Sequence, residues 1–145
     1  MKTTIFRRLN AGLLLAAAIV LGLGAISAKA QDPCADAAGI TSMQDEFDGL
    51  YKAYVAANKV SGDADNTIDA LDKVVGSAKR FQEKYGACAS AKERADWLAP
   101  KVPVWEKRVI DTRKRKTLFA RFDNSVKAKN WDETYASGKE ILAAY

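Results

Sequence analysis

Histidine is absent from the 145 residues of this chain. Because imidazole is the commonest general base near neutral pH and the commonest metal ligand, its absence argues against most hydrolytic and metal-dependent enzymes. Cysteine occurs only twice, as Cys34 and Cys88, and no C-x-x-C pair is present. If these two cysteines are bonded to each other, they provide neither a thiol nucleophile nor a thiolate zinc ligand. We therefore expect a protein that is not an enzyme and that has no catalytic residue, metal or cofactor.

The chain also lacks the loops that bind phosphate or calcium. No glycine-rich phosphate loop occurs, and the segment DADNTIDALD at 63–72 has only the acidic and amide side chains of a calcium loop. It lacks the central glycine, and Val74 stands where the glutamate of the twelfth position belongs. These carboxylates are better explained as favourable charges at the N-terminus of a helix.

The first thirty residues are typical of an export signal. Basic residues precede a small and apolar run over 11–26, and Ala28-Lys29-Ala30 supplies the small residues that a signal peptidase needs. We expect residues 1–30 to be removed near Ala30, which leaves a mature chain in the periplasm or outside a bacterial cell. The alternative is an uncleaved anchor, because the run approaches the ~18 residues of a membrane span.

Removal of this signal changes the charge of the protein. Residues 1–30 hold four of the 23 basic residues and none of the 18 acidic ones, so the remaining 19 basic and 18 acidic residues give a net charge of +1. The sequence pI of about 9.2 therefore comes mostly from the signal. A basic pI no longer indicates nucleic acid, which we do not expect as a partner.

The remaining residues, 31–145, are enough for one small domain. Two cysteines in an oxidising compartment usually pair, so we predict a disulfide between Cys34 and Cys88. It would close a loop of 54 residues. Its expected role is structural, because it would hold an otherwise loose N-terminal arm.

Helical periodicity runs through this domain. Apolar residues recur every three or four positions and no segment alternates with the period of a β-strand, which predicts an all-α fold of antiparallel hairpins. The first helix is expected from about 42 to 59, begun by the capping-box pair Thr41 and Gln44. With the next helix it forms a hairpin over about 42–85.

The second helix is the most strongly amphipathic part of the chain. Asp65 or Asn66 is expected to cap its start, and Gly86 stands where a helix end favours a residue of positive φ. Its apolar stripe consists of Ile68, Leu71, Val74, Val75, Ala78, Phe81 and Tyr85.

Further helices are expected over about 90–145. Ser90 and Glu93 form a second capping box, and Pro100 and Pro103 then predict a short helix, a turn and a new start near Pro103. The stretch DTRKRKT has no large apolar residue, so periodicity leaves open whether 103–128 is one helix or two.

A last helix is expected from Trp131 to Tyr145, with Tyr135, Ile141 and Leu142 directed inward. Asn130 ends or bends the helix before it.

The segment FDNSVKAKNWDETYASGKEILAAY resembles a tetratricopeptide repeat over about 116–145. A polar turn is followed by the aromatic Trp131, the acidic pair Asp132 and Glu133, and apolar residues that end in Ile141 and Leu142. The segment differs from the usual pattern of small and aromatic residues at Phe122, Ser125, Thr134 and Gly138.

This resemblance implies an interaction module, because stacked helical hairpins of this type present a concave surface to peptides or partner proteins. Such units bury their faces on neighbours, and about three of them with a polar cap are usual. Two alternatives follow for Ile141 and Leu142. Either another chain covers them, or the chain is a shortened form of a longer repeat protein.

Charge is unevenly distributed along the domain. Residues 31–72 hold two basic and nine acidic side chains, a net charge of −7, whereas 73–145 hold 17 and nine, a net charge of +8. The basic side chains are densest in one stretch, and we take these as the candidate partner surface: Lys107, Arg108, Arg113, Lys114, Arg115, Lys116 and Arg121.

This candidate surface has three interpretations. It could bind acidic partners, anionic lipid or an envelope polymer. The preferred interpretation is a solvated helix flank whose long side chains cover apolar surface, because charge runs usually have no more specific meaning. A third interpretation is self-association, in which the acidic half of one molecule meets the basic half of another.

The sequence thus favours an exported, non-enzymatic scaffold or adaptor of the bacterial envelope that binds another protein or peptide. The alternative is a peripheral binder of anionic lipid or polymer through 107–121. That alternative needs Lys114, Arg115 and Lys116 exposed beside accessible Phe119 or Phe122, whereas the scaffold interpretation expects both aromatic side chains to be buried against the last helix.

Overall fold

Five α-helices make up most of residues 32–144, the part of the chain that this computed structural model describes. They are α1 (Ala37–Val60), α2 (Asp65–Tyr85), α3 (Lys92–Leu98), α4 (Lys101–Lys127) and α5 (Trp131–Ala144). Short 3₁₀ turns lie at Pro33–Ala35 and Ala89–Ala91. No strand occurs in this part of the chain, so the prediction of an all-α fold is confirmed. The predicted signal at 1–30 and its cleavage site lie outside the described residues.

Helix α2 is the centre of the fold. It packs against α1, with which it forms an antiparallel hairpin, and also against α3, α4 and the N-terminal 3₁₀ turn. Every residue of its predicted apolar stripe is buried, and Leu71, Val74, Ala78 and Tyr85 have no exposed surface. A helix that packs against several neighbours needs a broad apolar stripe, and a broad stripe gives a clear helical periodicity in the sequence. The periodicity therefore predicted the buried face of α2 correctly.

The start of α1 differs from the prediction. The helix begins at Ala37, about one turn before 42, and Asp36 rather than Thr41 is its N-cap. The Asp36 carboxylate accepts hydrogen bonds from the Gly39 N–H and the Tyr85 hydroxyl, each at 2.8 Å. Thr41 instead donates its hydroxyl to the Ala37 carbonyl at 3.1 Å, so the predicted capping box is wrong.

Gly39 makes this arrangement sterically possible. A Cβ atom at Gly39 would overlap the Asp36 carboxylate and the Tyr85 hydroxyl. Glycine is therefore required here by the close approach of two polar groups and not by an unusual backbone angle.

The predicted disulfide between Cys34 and Cys88 is present, with 5.1 Å between the two Cα atoms. Cys88 is buried and follows α2, whereas Cys34 is exposed in the N-terminal 3₁₀ turn. The bond thus fastens the N-terminal arm to the end of α2, where Asp36 and Tyr85 make a second connection.

Three smaller predictions about helix ends are also wrong. The N-cap of α2 is Ala64, without a side-chain hydrogen bond, so Asp65 lies in the first turn. Gly86 has a φ of −59° and continues the right-handed turn, because the backbone hydrogen-bonds onward from Cys88 to Tyr85. The Ser90 capping box does not form, since a 3₁₀ turn precedes α3 and its N-cap, Ala91, offers no side-chain acceptor.

The region from 103 to 128 is one helix. As the prolines predicted, α3 ends before Pro100 and the new helix accommodates Pro103 in its first turn. Helix α4 then runs unbroken to Lys127 and lies antiparallel to α2, since Lys79 pairs with Glu106 and Arg113 pairs with Asp69.

A Schellman motif ends α4. Lys129 has a φ of 55°, its N–H bonds the Val126 carbonyl at 3.0 Å, and the Asn130 N–H bonds the Ser125 carbonyl at 2.9 Å. The Asn130 side chain then accepts from the Glu133 N–H at 3.2 Å and so caps α5. Asn130 therefore both closes α4, as predicted, and begins α5.

The hydrophobic core ends before the C-terminal hairpin begins. Val102, Val109 and the half-buried Trp105 are the α4 residues that belong to it, whereas Leu118 is buried outside it. After Lys116, which pairs with Asp65 at the start of α2, about 11 residues of α4 extend roughly 16 Å further. Helix α5 packs mainly against this extension.

Two fully buried serines provide a stability test. The Ser77 hydroxyl has no hydrogen-bond partner, whereas the Ser137 hydroxyl donates to the Glu133 carbonyl at 2.6 Å. An unsatisfied buried hydroxyl costs about 1 kcal/mol or more, so Ser77→Ala should raise the free energy of unfolding by about that amount. Ser137→Ala is the matched control and should not raise it. Urea denaturation measures both, and a destabilised Ser77→Ala variant would contradict the assignment.

Removal of the disulfide should be costly. In the chain-entropy account, a loop of 54 residues gives a bond worth about 4 kcal/mol. Replacement of Cys34 and Cys88 by alanine should lower the free energy of unfolding by about this amount in denaturant titrations. Wild-type protein with a reducing agent should reproduce the loss. A change below about 1 kcal/mol in both experiments would show that the attachment of the arm contributes little to the stability of the fold.

Stability should also depend on pH through Asp36. The hydrogen bond from Tyr85, and then that from the Gly39 N–H, lower the pKa of this carboxyl below its ordinary value. Its contribution to stability is therefore complete above about pH 4, the ordinary pKa, and is lost as the pH falls through the lower pKa of the folded state. Asp36→Asn should reduce the acid-induced loss of stability in urea titrations, whereas Asp45→Asn, at an exposed position of α1, should leave it unchanged.

Candidate functional site

All seven residues of the candidate partner surface lie on α4, but most of them face acidic side chains of the same chain. Arg113 binds Asp69 at 2.8 Å and Asp72 at 2.9 Å. These hydrogen bonds raise the pKa of its guanidinium. Arg115 binds Asp63 at 2.6 Å, and Lys116 pairs with Asp65. The densest basic stretch therefore covers the acidic start of α2.

Arg108 holds the loop between α1 and α2. Its guanidinium donates to the Tyr54 hydroxyl at 2.9 Å, the Asn58 side chain at 3.0 Å and the Gly62 carbonyl at 2.9 Å. These bonds satisfy a loop carbonyl and two side chains of α1 at once. Arg108 is consequently a structural residue of the fold.

The remaining basic residues pair nearby. Lys107 pairs with Asp111 one turn later on α4. Arg121 reaches α5, where it binds Glu133 at 2.7 Å and Glu140 at 2.5 Å. Arg121 lowers the pKa of Glu140, and Lys114 adds a smaller attraction to the same carboxylate.

The acidic and basic residues that are separated along the sequence thus largely pair with each other in the fold. Six of the seven basic residues form ion pairs in the described chain, namely Lys107, Arg108, Arg113, Arg115, Lys116 and Arg121. Such exposed pairs are individually weak, but they reduce the positive field that α4 offers to an anionic surface.

Apolar side chains on α5 form a second candidate surface. Trp131, Tyr135 and Leu142 are exposed by 65%, 71% and 84%. Their spacing of four and seven residues places them on one face of the helix. Exposed apolar residues that cluster in this way typically mark an interaction site, whereas scattered ones need no explanation. The prediction that Tyr135 and Leu142 point inward is therefore wrong, although Ile141 is half-buried.

Small and polar residues fill the contact between α4 and α5 instead. Ser125 and Ser137 are buried, and the Ser125 hydroxyl lies 2.9 Å from that of Thr134. Phe122 packs close to Gly138, where a Cβ atom would be 3.5 Å from its ring. Because these small residues bring the two helices together, the large side chains of α5 lie beside the contact.

The two flanks of this hairpin have different chemistry. Arg121 pairs with Glu133 and Glu140 along one flank, and Phe122 meets Gly138 toward the other. Helical rotation places the exposed α5 face on the Phe122 flank, next to Val126, which is 39% exposed. We call this the hairpin surface, and it consists of Phe122, Val126, Trp131, Tyr135 and Leu142. Phe119, 44% exposed, precedes it on α4.

The sequence did not predict the hairpin surface, because Tyr135 and Leu142 were expected to point inward and Trp131 was interpreted only as part of the repeat pattern. A signal was present in the sequence. Thr134, Ser137 and Gly138 lie on the side of α5 that contacts α4, and such small residues bury little apolar area.

Aromatic side chains also meet at the junction of α1, α3 and α4. Trp97 makes edge contacts at 6.1 Å with Phe47, Tyr51 and Trp105. An open cleft of about 370 Å³ adjoins this cluster, lined by Gln44, Ser90, Glu93, Arg94 and Trp97. Lys101 and Arg94 already lie over the Trp97 ring, at 4.1 and 5.7 Å from its centroid, so the cluster is largely occupied by its own chain.

Within 32–144 no group of three or more cysteine or acidic side chains is placed to hold a metal ion. No helix in the same range is long and apolar enough to cross a membrane.

Comparison of the chain with models of known protein families, with curated proteins and with solved structures gave no match.

Proposed function

We propose that this protein is a non-enzymatic interaction module of the bacterial envelope that binds another protein or peptide through the hairpin surface. The observation that carries the proposal is the exposure of Trp131, Tyr135 and Leu142 on one face of α5. Aromatic residues are enriched in protein interfaces because they bury a large area at a small cost in conformational entropy.

The layout of the hairpin supports the same proposal. Helices α4 and α5 are joined by a turn of three residues and pack on each other, and a helical hairpin is the kind of unit that the resemblance to tetratricopeptide repeats implies. The exposed face of the final helix is where a further unit or a bound partner would pack in such an array. Location in the envelope is part of the proposal and rests on the sequence of residues 1–30 and on the disulfide.

The lipid-binding alternative has weaker support. Of the three residues that it requires, Arg115 and Lys116 are half-buried and bound to Asp63 and Asp65, and only Lys114 is exposed. The two aromatic side chains do not distinguish the alternatives. Phe122 is half-buried against α5, as the scaffold interpretation expects, whereas Phe119 is exposed, as the lipid-binding alternative requires. The ionic interactions within the chain favour a protein partner over an anionic surface.

Affinity purification with matched variants tests the proposal. The tagged full chain would be recovered from envelopes of the cells that make it, at physiological and at high salt, beside Leu142→Ser and the control Ile110→Ser. Both positions are exposed apolar residues, but Ile110 lies on α4 outside the hairpin surface. A discrete protein should remain bound at high salt, and Leu142→Ser alone should reduce its recovery about tenfold, because burial of a leucine side chain contributes about 1.5 kcal/mol or more.

Recovery of anionic lipid or polymer alone, lost at high salt, would overturn this proposal. Replacement of 113–116 by serine should then abolish binding to anionic vesicles, while Leu142→Ser should leave it intact. If a protein partner exists, Lys114→Ser should retain it, because this substitution removes an exposed lysine and leaves the ion pairs between α4 and α2 intact.

A further inference from the structure

The exposed face of α5 has the spacing of a coiled-coil seam. Trp131, Tyr135, Gly138 and Leu142 follow one another at intervals of four, three and four residues, which corresponds to heptad positions d, a, d and a. Gly138 leaves a gap in this row, and the ring of Phe122 from α4 lies beside it. The seam is therefore apolar along its whole length.

The two positions that flank this seam differ. Thr134 and Ile141, at the g positions, face α4, and the Thr134 hydroxyl meets that of Ser125. Asp132 and Lys139, at the e positions, are both exposed. The Lys139 ammonium lies 5.6 Å from the centroid of the Tyr135 ring, which keeps its charge next to the seam. One flank is thus closed by α4, and the open flank carries one charge of each sign.

These charges fit a second copy of the same helix. When two identical helices pack antiparallel about a two-fold axis, the e positions of one face the e positions of the other. Asp132 of each copy then lies opposite Lys139 of the other, which gives two equivalent ion pairs. Parallel packing would place the e positions opposite the uncharged Thr134 and Ile141. Charges that flank a seam set partner choice and orientation, so the sequence of α5 favours antiparallel pairing with itself.

We propose that two copies of this chain pair through α5, antiparallel and about a two-fold axis, so that their α4–α5 hairpins form a four-helix bundle. Because α4 occupies the g flank in each copy, both α4 helices lie on the same side of the pair. Phe122 and Val126 then face the new core. This inference rests on the proposed function, since it identifies a second copy of the chain as the partner that the hairpin surface binds. Such an interface is closed, and the assembly stops at two copies.

Charge reversal provides a specific test of this geometry. Molar mass would be measured by light scattering and sedimentation over a range of concentrations for wild type, Asp132→Lys and Lys139→Asp. Wild type should dimerise. Each reversal places like charges opposite each other twice and should weaken the dimer about tenfold or more. An equimolar mixture of the two variants should restore it, because each lysine of one variant then faces an aspartate of the other.

Controls separate this inference from general charge effects and from the proposed function. Asp45→Lys, at an exposed position of α1, should dimerise like wild type, and circular dichroism should show that all variants remain helical. A monomeric wild type, single reversals without effect, or a mixture that does not recover would each overturn the antiparallel dimer. If one of these results overturns the dimer and Leu142→Ser still reduces the recovery of a captured partner, the proposed function stands without the dimer. If the dimer forms and no other partner is captured, the hairpin surface serves self-association alone.

Discussion

The contact between the basic middle of α4 and the acidic start of α2 determines how the rest of the molecule is arranged. The apolar side chains by which α4 packs on the core, namely Val102, Trp105 and Val109, stabilise this packing more than the charges do, at about 1.5–3 kcal/mol for each fully buried side chain. The ion pairs are individually worth about 1 kcal/mol or less, but Arg113 bridges two carboxylates and fixes the register. Because that register places Lys116 at the start of α2, the last three turns of α4 extend beyond the core. The hairpin surface exists because of this extension.

The parts of the fold that the sequence predicted well are those in which neighbours along the chain decide the structure. The stripe of α2 lies on a helix of 21 residues, and Pro100 and Pro103 act on the backbone at the start of α4. The disulfide followed from the number of cysteines. The start of α1 could not be predicted this way, because Asp36 is selected as N-cap partly by the hydroxyl of Tyr85, which lies 49 positions away. A capping-box pattern reports only local preference, and a tertiary hydrogen bond overrode it.

The candidate site was harder to predict than the fold. Basic residues such as Arg115 are conspicuous in the sequence, yet their acidic partners are separated from them by about 50 positions, so the ion pairs become visible only when α2 and α4 are antiparallel. Along α5 the difficulty is reversed. Periodicity identifies an apolar face correctly but does not say whether that face meets the core. The hydroxyls of Ser125 and Thr134 bond to each other, and this small polar contact lies, with the buried Ser137, on the side of α5 that α4 covers.

Gly39 shows how a position without a side chain can constrain a protein. Alanine is favoured over glycine inside a helix by about 1 kcal/mol, so propensity alone would select alanine at this position of α1. Here any larger residue would separate Asp36 from Tyr85, and the helix would lose its cap while a fully buried tyrosine lost its acceptor. The substitutions that position 39 tolerates are therefore limited by Asp36, at the start of α1, and by Tyr85, at the end of α2. The space left by Gly39 is what allows the second connection of the N-terminal arm to α2, beside the disulfide.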